Sequence, residues 1–367
     1  MNRTLDIAFF GSSLVSAYWN GAATYYRGMI RALAARGHRV TFYEPDAYDR
    51  QAHRDIPDPA YAKVVVYSGS DEREALTMVE RARKADVIVK ASGVGVFDAL
   101  LEREVLSARK PGGLAVFWDV DAPATLARVH EDPKDPFRAL VPRYDLVLTY
   151  GGGPPIVRGY GELGARKCVP IYNALDPSSH HPVSPDPRFR SDLTLLANRL
   201  PDREARVEEF FFRPARLLPD HAFLLGGNGW QGHCVPENVR ALGHVYTADP
   251  NALNCSARLV LNVARDSMAT CGHSPATRVF EAAGAGACLV TDEWVGIDAF
   301  LEPGREILVA RDGEAVAAYV RDVTPTRARE IGEAAKRRVL AQHTYAQRAR
   351  AVEALLLQHT DVVQVNP

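Results

Sequence analysis

Short apolar runs and longer amphipathic stretches take turns along nearly the whole chain. Leu5–Phe10, His38–Tyr43, Lys63–Tyr67, Val87–Lys90, Leu114–Trp118, Asp145–Tyr150 and Lys167–Ile171 read as strands. Between them, Ala22–Arg36, Asp71–Arg83, Val96–Arg109, a stretch from Thr125 and Ile156–Leu163 carry helical spacing. Runs that are apolar throughout fit strands buried on both faces. The alternation predicts a parallel sheet wrapped by helices, with the loops after the strands gathered on one edge, where ligands bind.

The pattern breaks once. Asn173–Arg190, NALDPSSHHPVSPDPRFR, is proline-rich and poor in apolar residues, and reads as a linker. A second strand series follows: Leu193–Ala197, Ala222–Leu225, Val239–Tyr246, Leu259–Ala264, Ala287–Thr291 and Glu306–Ala310. Helices are predicted over Glu204–Arg213 and Asp249–Cys255, from Ser274, and after a cap at Asp312. The expected division is therefore 1–175, a linker at 176–190, and 191–342. The tail, Thr326–Gln358, reads as two helical segments. The last carries Ala349, Val352, Leu355 and Leu356 on one side, a stripe that must be buried.

A chain of 367 residues with 47% hydrophobic content can fill two cores. A net charge of −1 argues against general affinity for nucleic acid or anionic membrane. No apolar run approaches the roughly 20 residues of a membrane span. The start runs straight into a strand, too short for a signal peptide. The cysteines (Cys168, Cys234, Cys255, Cys271, Cys288) are scattered without a C-x-x-C, which suggests reduced thiols and a cytoplasmic protein. Cys271 and His273, lacking a second pair, make no zinc set. The first loop, GSSLVSAYWNG, lacks G-x-G-x-x-G, so a nicotinamide dehydrogenase fits poorly and Glu44 loses a ribose-binding role. That long loop, with Ser12, Ser13, Asn20 and Gly21, has room to admit a substrate.

Candidate chemistry is densest between Leu259 and Val309. A strand (Leu259–Ala264) and a polar loop (Arg265–His273) lead to Ser274 at the N-cap and Pro275 at the first helical position. Val279, Ala282 and Ala283 form the apolar stripe, and Gly284 and Gly286 end the helix. Such a helix start is an anion site. Arg278 and Glu281 share one helix face. One can hold a phosphate and the other the hydroxyls of a ribose, or the two form an ordinary i,i+3 surface pair. Arg199 and Arg203 flank a strand end, where they either meet a diphosphate or form a solvated basic face. Gly227 permits close backbone approach. Trp230 offers a stacking face or a core side chain, and Tyr246 ends the next strand. Asp119 and Asp121 follow a first-half strand. They supply a catalytic carboxylate, hold an acceptor hydroxyl, or, for Asp121, cap the turn before Pro123.

Four stretches carry a family resemblance: SAYWNGAATYYRGMIRALAARGHRVTFYE, LLANRLPDREARVEEFFFRPA, LLGGNGW and NVARDSMATCGHSPATRVFEAAGAGACLVTDEWVGIDAFLEPGREILVA. Together they resemble the CgeB-like, spore-maturation-type glycosyltransferases across nearly the whole chain. The resemblance implies an α/β GT-B fold, two Rossmann-like doubly wound parallel-sheet domains facing across a cleft. The first would take the acceptor and the second a nucleotide sugar, with 343–360 packing back on the first. In GT-B enzymes with an E-x7-E pair the second glutamate holds the ribose, a role that falls to Glu281. The first glutamate is replaced here by His273, a departure that puts a histidine in place of the charge partner, beside the transferred sugar. Amides after Ser274 and Pro275, with Arg278, Arg265 and Arg199, would meet the diphosphate.

Breaking an anomeric bond leaves a diphosphate gaining negative charge, which cations or a helix N-terminus must stabilise. Asp119-x-Asp121 formally fits a metal-binding D-x-D, but the arginines and the helix dipole make a metal unnecessary. The expectation is a metal-independent transferase with no cofactor beyond its nucleotide-sugar co-substrate. A general base is needed only if the configuration inverts. Asp121, then Asp119, are the candidates, ahead of His38, His53 and His130. The acceptor is a hydroxyl of a glycan, protein or small molecule. An epimerase or hydrolase acting on the nucleotide sugar alone, and a non-catalytic binding module, are the alternatives.

Overall fold

The computed structural model describes residues 3–18, 20–246 and 248–365. The chain forms two units, Met1–Tyr172 with Tyr345–Pro367, and Asn173–Thr344.

The first unit is a parallel sheet of β1 (Asp6–Phe10), β2 (Arg39–Asp46), β3 (Lys63–Ser68), β4 (Val87–Ala91), β5 (Leu114–Asp119), β6 (Leu146–Thr149) and β7 (Cys168–Pro170). The spatial order is β3-β2-β1-β4-β5-β6-β7. β4 and β5 are buried at every position, as parallel strands covered on both faces must be. The order turns at β1, whose neighbours are β2 and β4. A crevice at the carboxyl edge is expected there. The stripe on the closing helix, Tyr345–Val365, is satisfied within this unit: Ala349, Val352 and Leu356 are buried and Leu355 half-buried. The close fit depends on Gly28 of the helix Ala23–Ala35, where any Cβ would overlap the Tyr345 ring.

The second unit is a parallel sheet of β8 (Ser191–Leu196), β9 (Phe223–Gly226), β10 (Val239–Gly243), β11 (Ala257–Asn262), β12 (Leu289–Asp292) and β13 (Leu308–Ala310), ordered β10-β9-β8-β11-β12-β13. Its switch lies between β8 and β11. The core gathers Leu193, Leu195, Leu259, Leu261 and Val290 from the strands with Phe210, Phe211 and Phe212 from the helical segment beside them.

Three local readings change. The 176–190 segment belongs to the second unit. The Asp186 amide donates to Ser256 Oγ at 2.7 Å, and Phe189 packs with Leu224 and Leu253. Its prolines remove amide donors, which suits a strap lying over a finished sheet. The loop after β11 contains a short helix, Asp266–Cys271. The helix expected from Ser274 spans Thr277–Gly284, with Ala276 at its N-cap and no side-chain cap.

Candidate active site

The site is built where β8 and β11 diverge in the second unit. Beyond β8, Ala197 and Arg199 are tied to the loop after β9. The Ala197 amide donates to Gly226 O and the Arg199 amide to Asn228 O, both at 2.9 Å. Gly227 sits there at φ +123°, where a Cβ would overlap the Ala197 carbonyl. Its glycine is therefore required by the meeting of two loops. Trp230 is likewise corrected: it is 5% exposed and packs edge-on against Phe212, and its Nε1 donates to Ala197 O at 2.8 Å. It is a core residue. Tyr246, by contrast, is 69% exposed with His244 edge-on at 4.8 Å.

Beyond β11, Asp292 at the end of β12 organises the loop. It is fully buried, accepts from the Ala264 amide at 3.1 Å and from Arg206 Nε at 3.0 Å. Burial raises its carboxyl pKa and Arg206 opposes the rise. Arg265 Nε is held by Asp202 at 2.6 Å, and Arg199 Nη2 by Glu204 at 2.6 Å. Both proposed phosphate arginines already have carboxylates, so a diphosphate would have to compete for them. Arg203 stands half-buried in the first turn of the helix Pro201–Val207. His273 adopts φ +45°, its amide donating to Val295 O at 2.6 Å. Its ring lies where a Cβ on Gly296 would be.

Ser274 does not cap the helix, because its Oγ is turned back to donate to Gly272 O at 2.9 Å. Pro275 precedes the helix, and its carbonyl accepts from buried Asn173 Nδ2 at 3.0 Å. The amides of Thr277 and Arg278 consequently have no hydrogen-bond acceptor among the described residues. Open first-turn amides favour an anion.

Glu281 lies one turn further on and is 8% exposed. Its carboxylate has two loose ion pairs, Arg278 Nη1 at 3.5 Å and His180 Nε2 at 3.8 Å. It accepts no hydrogen bond among the described residues, and Arg278 Nη1 is buried without one. The predicted pairing of Arg278 with Glu281 is present, but in a form that leaves both under-bonded. His180 and Asn173 were missed by sequence reading because both fall in the presumed linker.

The first unit uses its polar residues differently. Asp119 is fully enclosed at the end of β5. It accepts from Ser92 Oγ at 2.7 Å, Tyr160 Oη at 2.5 Å, the Asp121 amide at 2.9 Å and Thr125 Oγ1 at 3.1 Å. Burial pushes its pKa up while these donors pull it down. With four donors engaged inside the fold, three on Oδ1 and one on Oδ2, Asp119 braces the end of β5. Asp121 stands half-buried at the N-cap of the helix Ala122–Glu131 without capping it through its side chain. In the loop after β1, Ser12 Oγ donates to Asn20 Oδ1, and Asn20 Nδ2 to the carbonyls of Ser13 and Ser16. Ser13 Oγ and the Leu14 amide donate to Glu44. These side chains shape the loop itself, and of Ser12, Ser13, Asn20 and Gly21 it is Gly21 that is exposed, with open space about it. Glu44, discounted as a ribose ligand, is the buried anchor of this loop. Among the described residues no group of three or more His, Cys, Asp or Glu side chains could hold a metal ion. None of the described helices is long and apolar enough to cross a membrane.

Residues 203–354 match the family described as Glycosyl transferase-like. No curated protein matches the chain in sequence. Among solved structures, a sucrose-phosphate synthase from Thermosynechococcus elongatus is similar at TM-score 0.71 and 14% identity, over 98% of this chain and 100% of that one. Anabaena HepE in complex with UDP and glucose is similar at TM-score 0.69 and 15% identity, over 96% and 100%. An alpha-glucosyltransferase in complex with UDP-glucose and DNA containing an abasic site is similar at TM-score 0.70 and 11% identity, over 97% and 100%. The fold is GT-B: two parallel-sheet α/β domains of seven and six strands.

Proposed function

We propose that the protein transfers a sugar from a nucleoside-diphosphate donor, bound by the second unit, to an acceptor hydroxyl bound by the first. The observation that carries this reading is the under-bonded set on one helix: Glu281, Arg278 and the open amides of Thr277 and Arg278. A carboxylate lacking hydrogen-bond donors suits the two hydroxyls of a ribose. A helix start with open amides and an adjacent guanidinium suits a diphosphate. Arg199 and Arg265 stand at the same sheet edge but are paired with Glu204 and Asp202, so the helix start with Arg278 is what would stabilise the leaving group without a metal. His273, at the place of the first glutamate of an E-x7-E pair, is the candidate to touch the transferred sugar. Similar solved structures hold UDP with glucose or UDP-glucose, which supports a nucleotide-sugar donor. The four sequence stretches noted above support the CgeB-like subtype. Cytoplasmic residence is supported by the scattered cysteines.

The deciding measurement is a melting-temperature screen with UDP, GDP, dTDP and their sugars, in buffer with and without EDTA. One nucleotide is expected to raise the melting temperature in both buffers. No response to any of them would overturn the reading. Turnover of the selected donor without acceptor would instead mark a hydrolase or epimerase.

A further inference from the structure

The switch point of the first sheet holds a side chain that none of the chemistry above uses. The turn after β2 lays Arg50 between the loops that follow β1 and β4. Arg50 is 7% exposed. Its Nη1 reaches Ser12 O at 3.4 Å and Val94 O at 3.3 Å, both at the long limit of a hydrogen bond. Its Nε is shut away from solvent with no partner. Among the described residues Nη2 donates no hydrogen bond, and no carboxylate forms an ion pair with the guanidinium. The acid that it feels is Glu44, whose oxygens already accept from the Leu14 amide, Ser13 Oγ and Gln51 Nε2.

The surroundings hold this cation in place at a cost. The Tyr48 ring lies 5.0 Å from the guanidinium carbon, and its Oη donates to Gly95 O at 2.7 Å. Tyr48 and Asp49 both take left-handed backbone angles, φ +57° and +56°, without being glycine. Such strain concentrates at functional sites. The loop after β4 is braced separately. Asp98 accepts from the Val94 and Gly95 amides and from buried Lys90. The loop therefore does not need Arg50 to hold its shape. Burial pulls the guanidinium pKa down. A buried charge that forms no ion pair is expensive to keep, and two long bonds from one nitrogen make a poor structural brace.

We propose that Arg50 receives an oxyanion of the acceptor, a phosphate or carboxylate group, at the crevice between the loops after β1 and β4. This rests on the reading that the first unit takes the acceptor, and it narrows the acceptor from any hydroxyl compound to an acidic one. The planar donor fork of arginine matches either group in a two-point contact.

The test uses the full chain with inorganic phosphate and, separately, succinate, at ionic strength held constant with sodium chloride. The melting temperature of wild type is expected to rise saturably. In Arg50→Gln the midpoint should move at least about tenfold higher, the loss of one charged hydrogen-bond pair, and Arg50→Lys should fall between. A response to phosphate alone assigns a phosphorylated acceptor, and a response to both admits carboxylates. Without anion, Arg50→Gln should melt within a few degrees of wild type, because it removes a charge that forms no ion pair. UDP should shift both proteins equally, so loss of the UDP response would count against the donor site alone. Identical anion responses in wild type and Arg50→Gln, or none in wild type, overturn the proposal. So does a Gln variant that fails to fold, which would make Arg50 a brace. Tungstate-soaked wild-type crystals supply a check that needs no variant: density within hydrogen-bond reach of Arg50 is expected, and its absence there is a refutation.

Discussion

The carboxyl edges of the two sheets offer the same residue types and put them to opposite uses. In the first unit, Asp119, Glu44, Ser12, Ser13 and Asn20 are buried with their hydrogen-bonding atoms matched inside the fold. In the second, Glu281 is nearly as buried, yet its carboxylate has two ion pairs of 3.5 Å and longer and no hydrogen bond. Two carboxylates on loops and helices at sheet edges thus differ less in burial than in what remains unmatched. Buried polar groups ordinarily find partners. Among the described residues, Glu281 with Arg278 in one unit and Arg50 in the other are charged groups left short of partners, and there a ligand would be missed.

The comparison can be broken by exchanging its two carboxylates for amides or alanine. Glu281→Ala removes a carboxylate held only by two loose ion pairs, so the protein should melt within a few degrees of wild type. Affinity for the selected nucleotide should drop about 10- to 100-fold, the range for one or two hydrogen bonds to a charged group. Calorimetric titration measures it. Unchanged affinity would show that the ribose lies elsewhere. Asp119→Asn should do the reverse. It leaves Ser92, Tyr160 and Thr125 competing for fewer lone pairs, at about 1–3 kcal/mol of stability. The rate per folded molecule should stay near wild type. Denaturant unfolding and a transfer assay together decide. If Asp119→Asn kept full stability and lost activity, Asp119 would be a base after all, and the contrast between the edges would collapse.

This contrast explains which parts of the molecule were legible in sequence. Strand order follows from alternation, because parallel strands such as β4 and β5 must be apolar on both faces. Helix boundaries near the site were less accessible. Ser274-Pro275 is a strong start signal, yet Ser274 Oγ donates to the Gly272 carbonyl and the helix opens at Thr277. A hydroxyl has several local partners, and spacing does not say which one it takes. Trp230 reads as a stacking face or a core side chain in one dimension and is core in three, and Gly227 is fixed by the meeting of two loops. Arg50 carries no signal at all in the sequence. Its meaning lies in the lack of an ion pair among the described residues, and only the arrangement of three loops reveals that.

The smallest effect sharpens the same contrast away from the site. His38 is buried in the first unit, where Nδ1 accepts the Leu5 amide at 3.2 Å and Nε2 lies 3.3 Å from Glu353 on the closing helix. The Leu5 bond requires the neutral ring with its proton on Nε2. Burial lowers the His38 pKa, the nearby Glu353 opposes this, and Arg36 reinforces it. A histidine whose folded pKa is depressed binds protons more tightly when unfolded. Its contribution to stability is complete above the free imidazole value, about 6.5, and is lost as pH falls through the folded pKa. The melting temperature should therefore decline between pH 7 and pH 5 more steeply in wild type than in His38→Gln, whose amide oxygen can still accept from Leu5. Equal slopes would mean that the Glu353 carboxylate compensates the proton fully. The closing helix would then be anchored by the Arg36–Glu353 pair rather than by a neutral histidine.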